Sequence, residues 1–323
     1  MIRTTLAVLL VLILLAGGTA FYAYRLLDQS GPLQEARSVA VPRGGIGEVA
    51  DALAREGVIA GPLPFQAAAL ATSGDGAIHA GELEFPAGAS LRQVLHILRT
   101  AKPIQHLVTI PEGLTAQQVA ALLDRTPLLE GDPAQPAEGS LLPETYAFDR
   151  GTTRAALADR AAKAMDRALD RAWAARSPAM PLDRPRDVLI LASIVERETA
   201  KLEERPRIAA VFLNRLRQGM RLQSDPTVVY GASGGAGTLD HGLTRAELDR
   251  DDPYNTYRIP GLPPGPISMP GAAALRAVTQ PAQSDDLFFV ADGTGGHVFA
   301  RTQDEHSRNV ARWREIERRR RQP

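Results

Sequence analysis

Glu196 follows the run Val188–Val195, in which seven of eight residues are apolar. A carboxyl on the end of so apolar a helix is partly desolvated. Desolvation disfavours the charged form and raises the pKa toward the range a general acid needs near neutral pH. Glu198 lies two positions on, about 200° around a helix, so the two carboxyls cannot face one cleft. Taken alone, the helix leaves a second reading open. In that reading Glu196 starts a solvated helix end and pairs with Arg197 or a later arginine.

The segments that follow carry groups suited to a sugar. Gln223, Asp225, Tyr254, Asn255 and Tyr257 lie on or beside stiff loops, the last leading into Gly261-Leu262-Pro263-Pro264-Gly265-Pro266-Ile267. Of the six tyrosines, three fall between positions 230 and 257, which concentrates ring faces and planar hydrogen-bonding groups in one stretch. Together these residues are expected to line a polar, aromatic cleft opposite Glu196. Other chemistries lack their residues. Cysteine is absent, which removes disulfides, thiolate metal sites and cysteine nucleophiles. No H-E-x-x-H, Walker or G-x-S-x-G pattern occurs, and Asp304-Glu305-His306 is too short a metal signal. No metal or cofactor is expected.

The elements that must hold these groups read as α+β. Three strand–turn–helix units precede residue 125. They are Val41-Pro42-Arg43-Gly44 with Val49 and Leu53, Phe85-Pro86-Ala87-Gly88 with Val94 and Leu98, and Ile110-Pro111-Glu112-Gly113 with Val119 and Leu123. Such units resemble LysM modules, which bind cell-wall glycan, and ordinary α+β packing explains them equally well. Residues 130–151, rich in Gly, Pro, Glu and Asp, read as a linker, although LLPETYAF within them is too apolar for a pure tether. Helices are predicted over 153–176, 188–200 and 205–217, and a hairpin joins 287–290 to 297–299.

No charge occurs from Thr4 to Tyr24, the length a helix needs to cross a bilayer. Phe21, Tyr22 and Tyr24 form an aromatic belt at its end, and a cleaved signal is disfavoured because no A-x-A site appears. Arg3 places the N-terminus in the cytoplasm, while Arg25 acts against that orientation. The formal net charge of zero, from 37 basic and 37 acidic residues, hides unlike parts. Residues 1–25 carry +2, 312–321 carry +4, and the body between carries −6. An acidic body excludes nucleic acid as a partner.

The strings EGSLLPETYAF (138–148), LASIVERET (191–199), FLNRL (212–216), Met220–Tyr230, Tyr254–Ile267 and Phe288–Phe299, with His306, resemble the MltG (YceG-like) family of membrane-anchored endolytic murein transglycosylases. The resemblance spans about residues 38–310. Ser224, where threonine is usual, and Arg197, where lysine is common, depart mildly from it. It implies that Glu196 is the catalytic glutamate and that the N-terminal region is LysM-like, and Gln223, Asp225, Tyr254, Asn255 and Tyr257 are the expected sugar contacts. It further implies a cytoplasmic stub 1–3, a span 4–24, a LysM-like domain 38–108, a catalytic domain 109–311 and a basic tail 312–323. The implied reaction cleaves the bond between N-acetylmuramic acid and N-acetylglucosamine in nascent peptidoglycan and leaves 1,6-anhydro ends. The enzyme would sit in the inner membrane with its catalytic domain outside, terminating glycan elongation beside peptidoglycan synthases. A hydrolytic muramidase and a non-catalytic wall-binding adaptor are the competing readings.

Overall fold

A computed structural model describes residues 24–321 and, before them, positions 10, 13–15, 17, 18 and 21. Most of the expected span 4–24 therefore lies outside the described residues. Among the described residues no helix is long and apolar enough to cross a membrane. The described apolar positions of that stretch, including Leu10, Ile13, Leu14 and Phe21, are solvent-exposed.

The chain divides into two compact units. The first comprises Met1–His106 and Ala147–Arg150. In it β1 (Arg37–Val41) pairs antiparallel with β2 (Gly81–Phe85), in a register that sets Val39 opposite Leu83. Helices α1 (Ile46–Arg55), α2 (Pro62–Ala71) and α3 (Leu91–Thr100) bury Leu53, Phe65 and Leu98 beneath this ribbon, against Leu83 and Phe85. Ser90 and Gln93 form a reciprocal capping box that fixes where α3 begins.

The second unit comprises Leu107–Tyr146 and Gly151–Pro323. The strand β3 (His106–Thr109) pairs with β4 (Thr145–Phe148), and α4 (Ala116–Arg125) starts at a second capping box, Thr115 with Gln118. Each strand–turn–helix unit read from sequence is a strand, a turn and a helix here. The second and third turns need a left-handed glycine, Gly88 (φ 63°) and Gly113 (φ 77°), whereas Gly44 in the first does not. That difference goes with the shorter first turn.

The linker expected over 130–151 is corrected. Glu130 bridges to Thr153, Leu141 and Leu142 are buried, and 145–148 is strand. The apolar side chains of LLPETYAF find core partners, which a tether does not do.

Helix α5 (Arg154–Ala174) is capped by Thr153, and α6 (Pro185–Glu198) crosses the centre of the second unit. Around α6 pack α5, α7 (Arg205–Arg217), the short α8 (Asp225–Ala232) and α10 (Ala272–Thr279), while α9 (Arg245–Asp249) lies in the acidic segment. Leu191, Val195, Ile208, Phe212 and Leu275 are each at most 1% exposed. The predicted hairpin is β5 (Phe288–Ala291) and β6 (His297–Ala300), Phe289 opposite Phe299, followed by α11 (Gln303–Arg321). The architecture is α+β, and residues 312–321 form the last turns of α11.

Candidate active site

Helix α6 is apolar on nearly all sides because it is the core, and its C-terminal end delivers two glutamates to different surroundings. Ser193, buried within it, ties down the Pro/Gly loop. Its hydroxyl accepts from the Ile267 N–H (3.0 Å), and its carbonyl accepts from the Ser268 hydroxyl (3.1 Å).

Glu196 lies in a closed network. Its side chain is 3% exposed, and its Oε1 accepts from Arg205 Nη2 at 2.5 Å. Its Oε2 accepts from the N–H of Gly271 (3.0 Å), the N-cap of α10. Arg205, itself 5% exposed, also donates to Glu112 through both terminal nitrogens (3.2 Å each). Burial pushes the Glu196 carboxyl up to about 7. Gly271 and Arg205 pull against that shift, and Glu112 adds to it. Both oxygens are thus taken by protein donors, and almost no surface remains for a substrate atom. Arg197 does not pair with Glu196. It donates to the carbonyls of Gly113 and Gly237 instead.

Glu198 has the opposite character. It ends α6, stays partly exposed, and accepts a short hydrogen bond from the Ser224 hydroxyl. Burial pushes its carboxyl up to about 7, the Ser224 bond offsets part of this, and the charge of Asp225 reinforces it. Ser224 occupies the N-cap of α8, yet its side chain makes no cap bond. A serine there normally satisfies the helix's own N–H groups, so its commitment to Glu198 marks the pair as a unit. The Ser224 N–H is held by Thr256, which in turn bonds Thr227 (2.8 Å), so the hydroxyl is rigidly aimed.

Of the residues expected to contact sugar, three gather with Glu198. Asp225 is exposed and accepts from the Tyr257 hydroxyl at 2.6 Å. Burial and the nearby Asp225 raise the Tyr257 hydroxyl pKa, which keeps it a donor. Gln223 is exposed, holds a left-handed backbone (φ 53°), and meets the Arg215 guanidinium at 3.4 Å. Arg215 is fixed by the carbonyls of Leu287 and Leu222 and adds a cation beside Glu198.

Two expected contacts are placed elsewhere. Asn255 is 1% exposed, its amide nitrogen donates to the carbonyls of Glu247, Leu248 and Arg250, and its oxygen accepts from the Tyr257 N–H. It braces the loop and has no group left for a sugar. Tyr254 packs against Tyr230 with the rings tilted by 54° and their centres 4.8 Å apart, and Tyr230 donates to Glu138. Among the described residues no cluster of His, Cys, Asp and Glu could hold a metal. Within Asp304-Glu305-His306, Glu305 accepts the N–H groups of Arg301 and Thr302, and His306 stacks on Phe288.

Glu198, Ser224 and Arg215 were not chosen from sequence. Glu198 lies on the opposite face of the helix from Glu196, one residue intervening, and only the packing says which of the two faces meets solvent. A signal was present in the unusual serine of Gln223-Ser224-Asp225-Pro226.

The endolytic murein transglycosylase of Streptococcus pneumoniae (strain D39) is 37% identical over 210 residues, 62% of this chain and 37% of that protein. The endolytic murein transglycosylase of Bacillus subtilis (strain 168) is 37% identical over 175 residues, 54% of this chain and 47% of that protein. The matches thus span less than half the length of these relatives. A crystal structure of a YceG-like protein from Listeria monocytogenes is similar with a TM-score of 0.53 at 28% identity, covering 85% of this chain and 99% of that one. The sequence profile of the YceG-like family matches residues 39–312, and with that share of its length accounted for, the chain belongs to the YceG-like family.

Proposed function

We propose that the chain is a membrane-anchored endolytic lytic transglycosylase of peptidoglycan, with Glu198 rather than Glu196 as its acid. The observation that carries this is the Glu198 carboxyl, raised to about 7 and on a partly exposed residue, beside Ser224, Asp225, Tyr257 and Arg215. Protonated Glu198 donates to the glycosidic oxygen between N-acetylmuramic acid and N-acetylglucosamine. As a carboxylate it then takes the proton of the muramyl 6-hydroxyl, whose oxygen closes on C1 to form the 1,6-anhydro ring. An internal nucleophile removes the need for a second carboxylate to activate water. The Ser224 hydroxyl stabilises the carboxylate formed midway, and Tyr257, Asp225 and Gln223 are placed to bind sugar hydroxyls. The names of the relatives from two organisms support the same substrate.

The remaining parts of the reading are these. Residues 4–24 anchor the chain in the inner membrane with the N-terminus in the cytoplasm. Residues 38–108 are a LysM-like domain that holds glycan, 109–311 form the catalytic domain, and 312–323 form the basic tail. The enzyme acts beside a synthase to end strand growth.

One observation favours a second reading. Asp225 stands beside Glu198 and could activate a water, which would make the enzyme a hydrolytic muramidase. Digestion of purified murein by wild type and Glu198→Gln, read by mass spectrometry, decides between them. Anhydro ends that vanish in the variant are the expected result. Reducing ends would replace the transglycosylase with a muramidase, and murein binding without cleavage would leave a wall-binding adaptor.

A further inference from the structure

Helix α2, PLPFQAAALA, contains no charged residue. One side buries Phe65, Ala68 and Ala69 in the core of the first unit. The other side presents Leu63 (75% exposed), Ala67, Leu70 (63% exposed) and Ala71 to solvent. These positions follow i, i+4, i+7, i+8 and form one stripe. An apolar helix with only one covered side leaves a contiguous patch of the kind that marks an interaction surface.

The place of α2 in the unit says what covers the stripe. The apolar run of the sequence ends at Tyr24, and the chain continues as a helical turn over 24–28. That turn is pinned to α3, since Arg92 bonds Asp28 at 2.7 Å and lies over the Tyr24 ring at 5.4 Å. It also shares two cavities with α2 and the residue that follows it. Leu26 and Pro64 line one cavity of about 290 Å³, and Leu27 and Thr72 line another of about 170 Å³. Leu26 and Leu27, two and three residues past Tyr24 and within about 5 Å of helix rise, thus share a cavity with the first turn of α2 and with Thr72, its C-cap. Arg25, exposed at the same level, is a cation suited to a lipid headgroup.

We infer that the Leu63–Ala67–Leu70–Ala71 face of α2 lies in the lipid headgroup and upper acyl layer, docking the first unit on the bilayer that holds residues 4–24. This rests on the anchoring reading above. The span alone tethers the unit by one turn, and the docked helix fixes its orientation at the surface, as an interfacial amphipathic helix does.

The absence of cysteine makes the test direct. Single-cysteine variants of the full chain, Leu63→Cys, Leu70→Cys, Glu84→Cys and Leu14→Cys, are labelled with NBD. They are reconstituted in phosphatidylethanolamine–phosphatidylglycerol vesicles carrying doxyl-labelled lipid. Positions 63 and 70 are exposed, so substitution leaves the fold intact, and Glu84 is an exposed control on β2. The expected result is blue-shifted emission and quenching at 63 and 70 at least about twofold stronger than at 84. Wet labels at 63 and 70 with a quenched label at 14 would overturn the docking and leave the anchor standing. A dry label that lipid does not quench would assign the face to a protein and overturn it too, as would equal quenching at 84. No quenching at 14 would remove the anchor and the docking together.

Discussion

Glu198→Gln should abolish catalysis and, at alkaline pH, make the protein more stable. The amide keeps the shape of the side chain and can still accept from Ser224, but it neither gives nor takes a proton. General acid–base catalysis contributes about 10²–10⁴-fold, so cleavage should fall by at least about 100-fold. The stability effect follows from the same burial. A carboxyl whose folded pKa is raised from 4.5 to about 7 holds its proton more tightly folded than unfolded. Its contribution is therefore most favourable below pH 4.5 and is lost as pH rises toward 7. The full shift corresponds to about 3 kcal/mol, and partial exposure of the group reduces this to about 1–3 kcal/mol. At pH 8 the variant should unfold at higher urea than wild type by that amount, and at pH 4 the two should coincide. Glu196, raised to about 7 as well, retains part of the wild-type slope. Murein digestion and urea titrations at the two pH values measure both effects. Retained cleavage, or a variant less stable at pH 8, would refute the assignment of Glu198 as a desolvated acid.

Glu196 should respond in the opposite way. Glu196→Ala strips the buried Arg205 and the Gly271 N–H of their partner and should cost about 3 kcal/mol in urea titration. Glu196→Gln offers one acceptor oxygen to two donors, so it should recover only part of that cost, and it should keep cleavage within about tenfold of wild type. The alkaline limb of the pH–rate profile should move in opposite directions for two neighbours. Asp225→Asn removes a charge that raises the Glu198 pKa and shifts the limb to lower pH, whereas Ser224→Ala removes a bond that lowers it and shifts the limb higher. Phe212→Ala empties a site 1% exposed that meets Phe289 edge-on, and thermal unfolding should report a loss of about 3–5 kcal/mol.

Local rules carried much of the molecule. Period and caps placed α5, α6 and α7 to within a few residues, and the Pro-x-Gly turns announced three strand–turn–helix units, because these signals act over one turn of chain. Composition misled where apolar residues were sparse. Residues 130–151 read as a linker apart from LLPETYAF, and Leu141 and Leu142 of that string are anchored by Met269 and Ala161, farther along the chain. The same limit applied to the site. The sequence determined that α6 must be core and must end in carboxyls at Glu196 and Glu198, and that Gln223, Asp225 and Tyr257 bring polar groups near it. It also determined the apolar stretch 4–24. Which glutamate is enclosed and which is reachable was decided only by tertiary structure. That choice depends on Arg205, Glu112 and Gly271 closing over one face of the helix end while Ser224 and Arg215 leave the other open. Burial and pairing are properties of the neighbours, and those neighbours come from separate stretches of the chain that meet only in the fold.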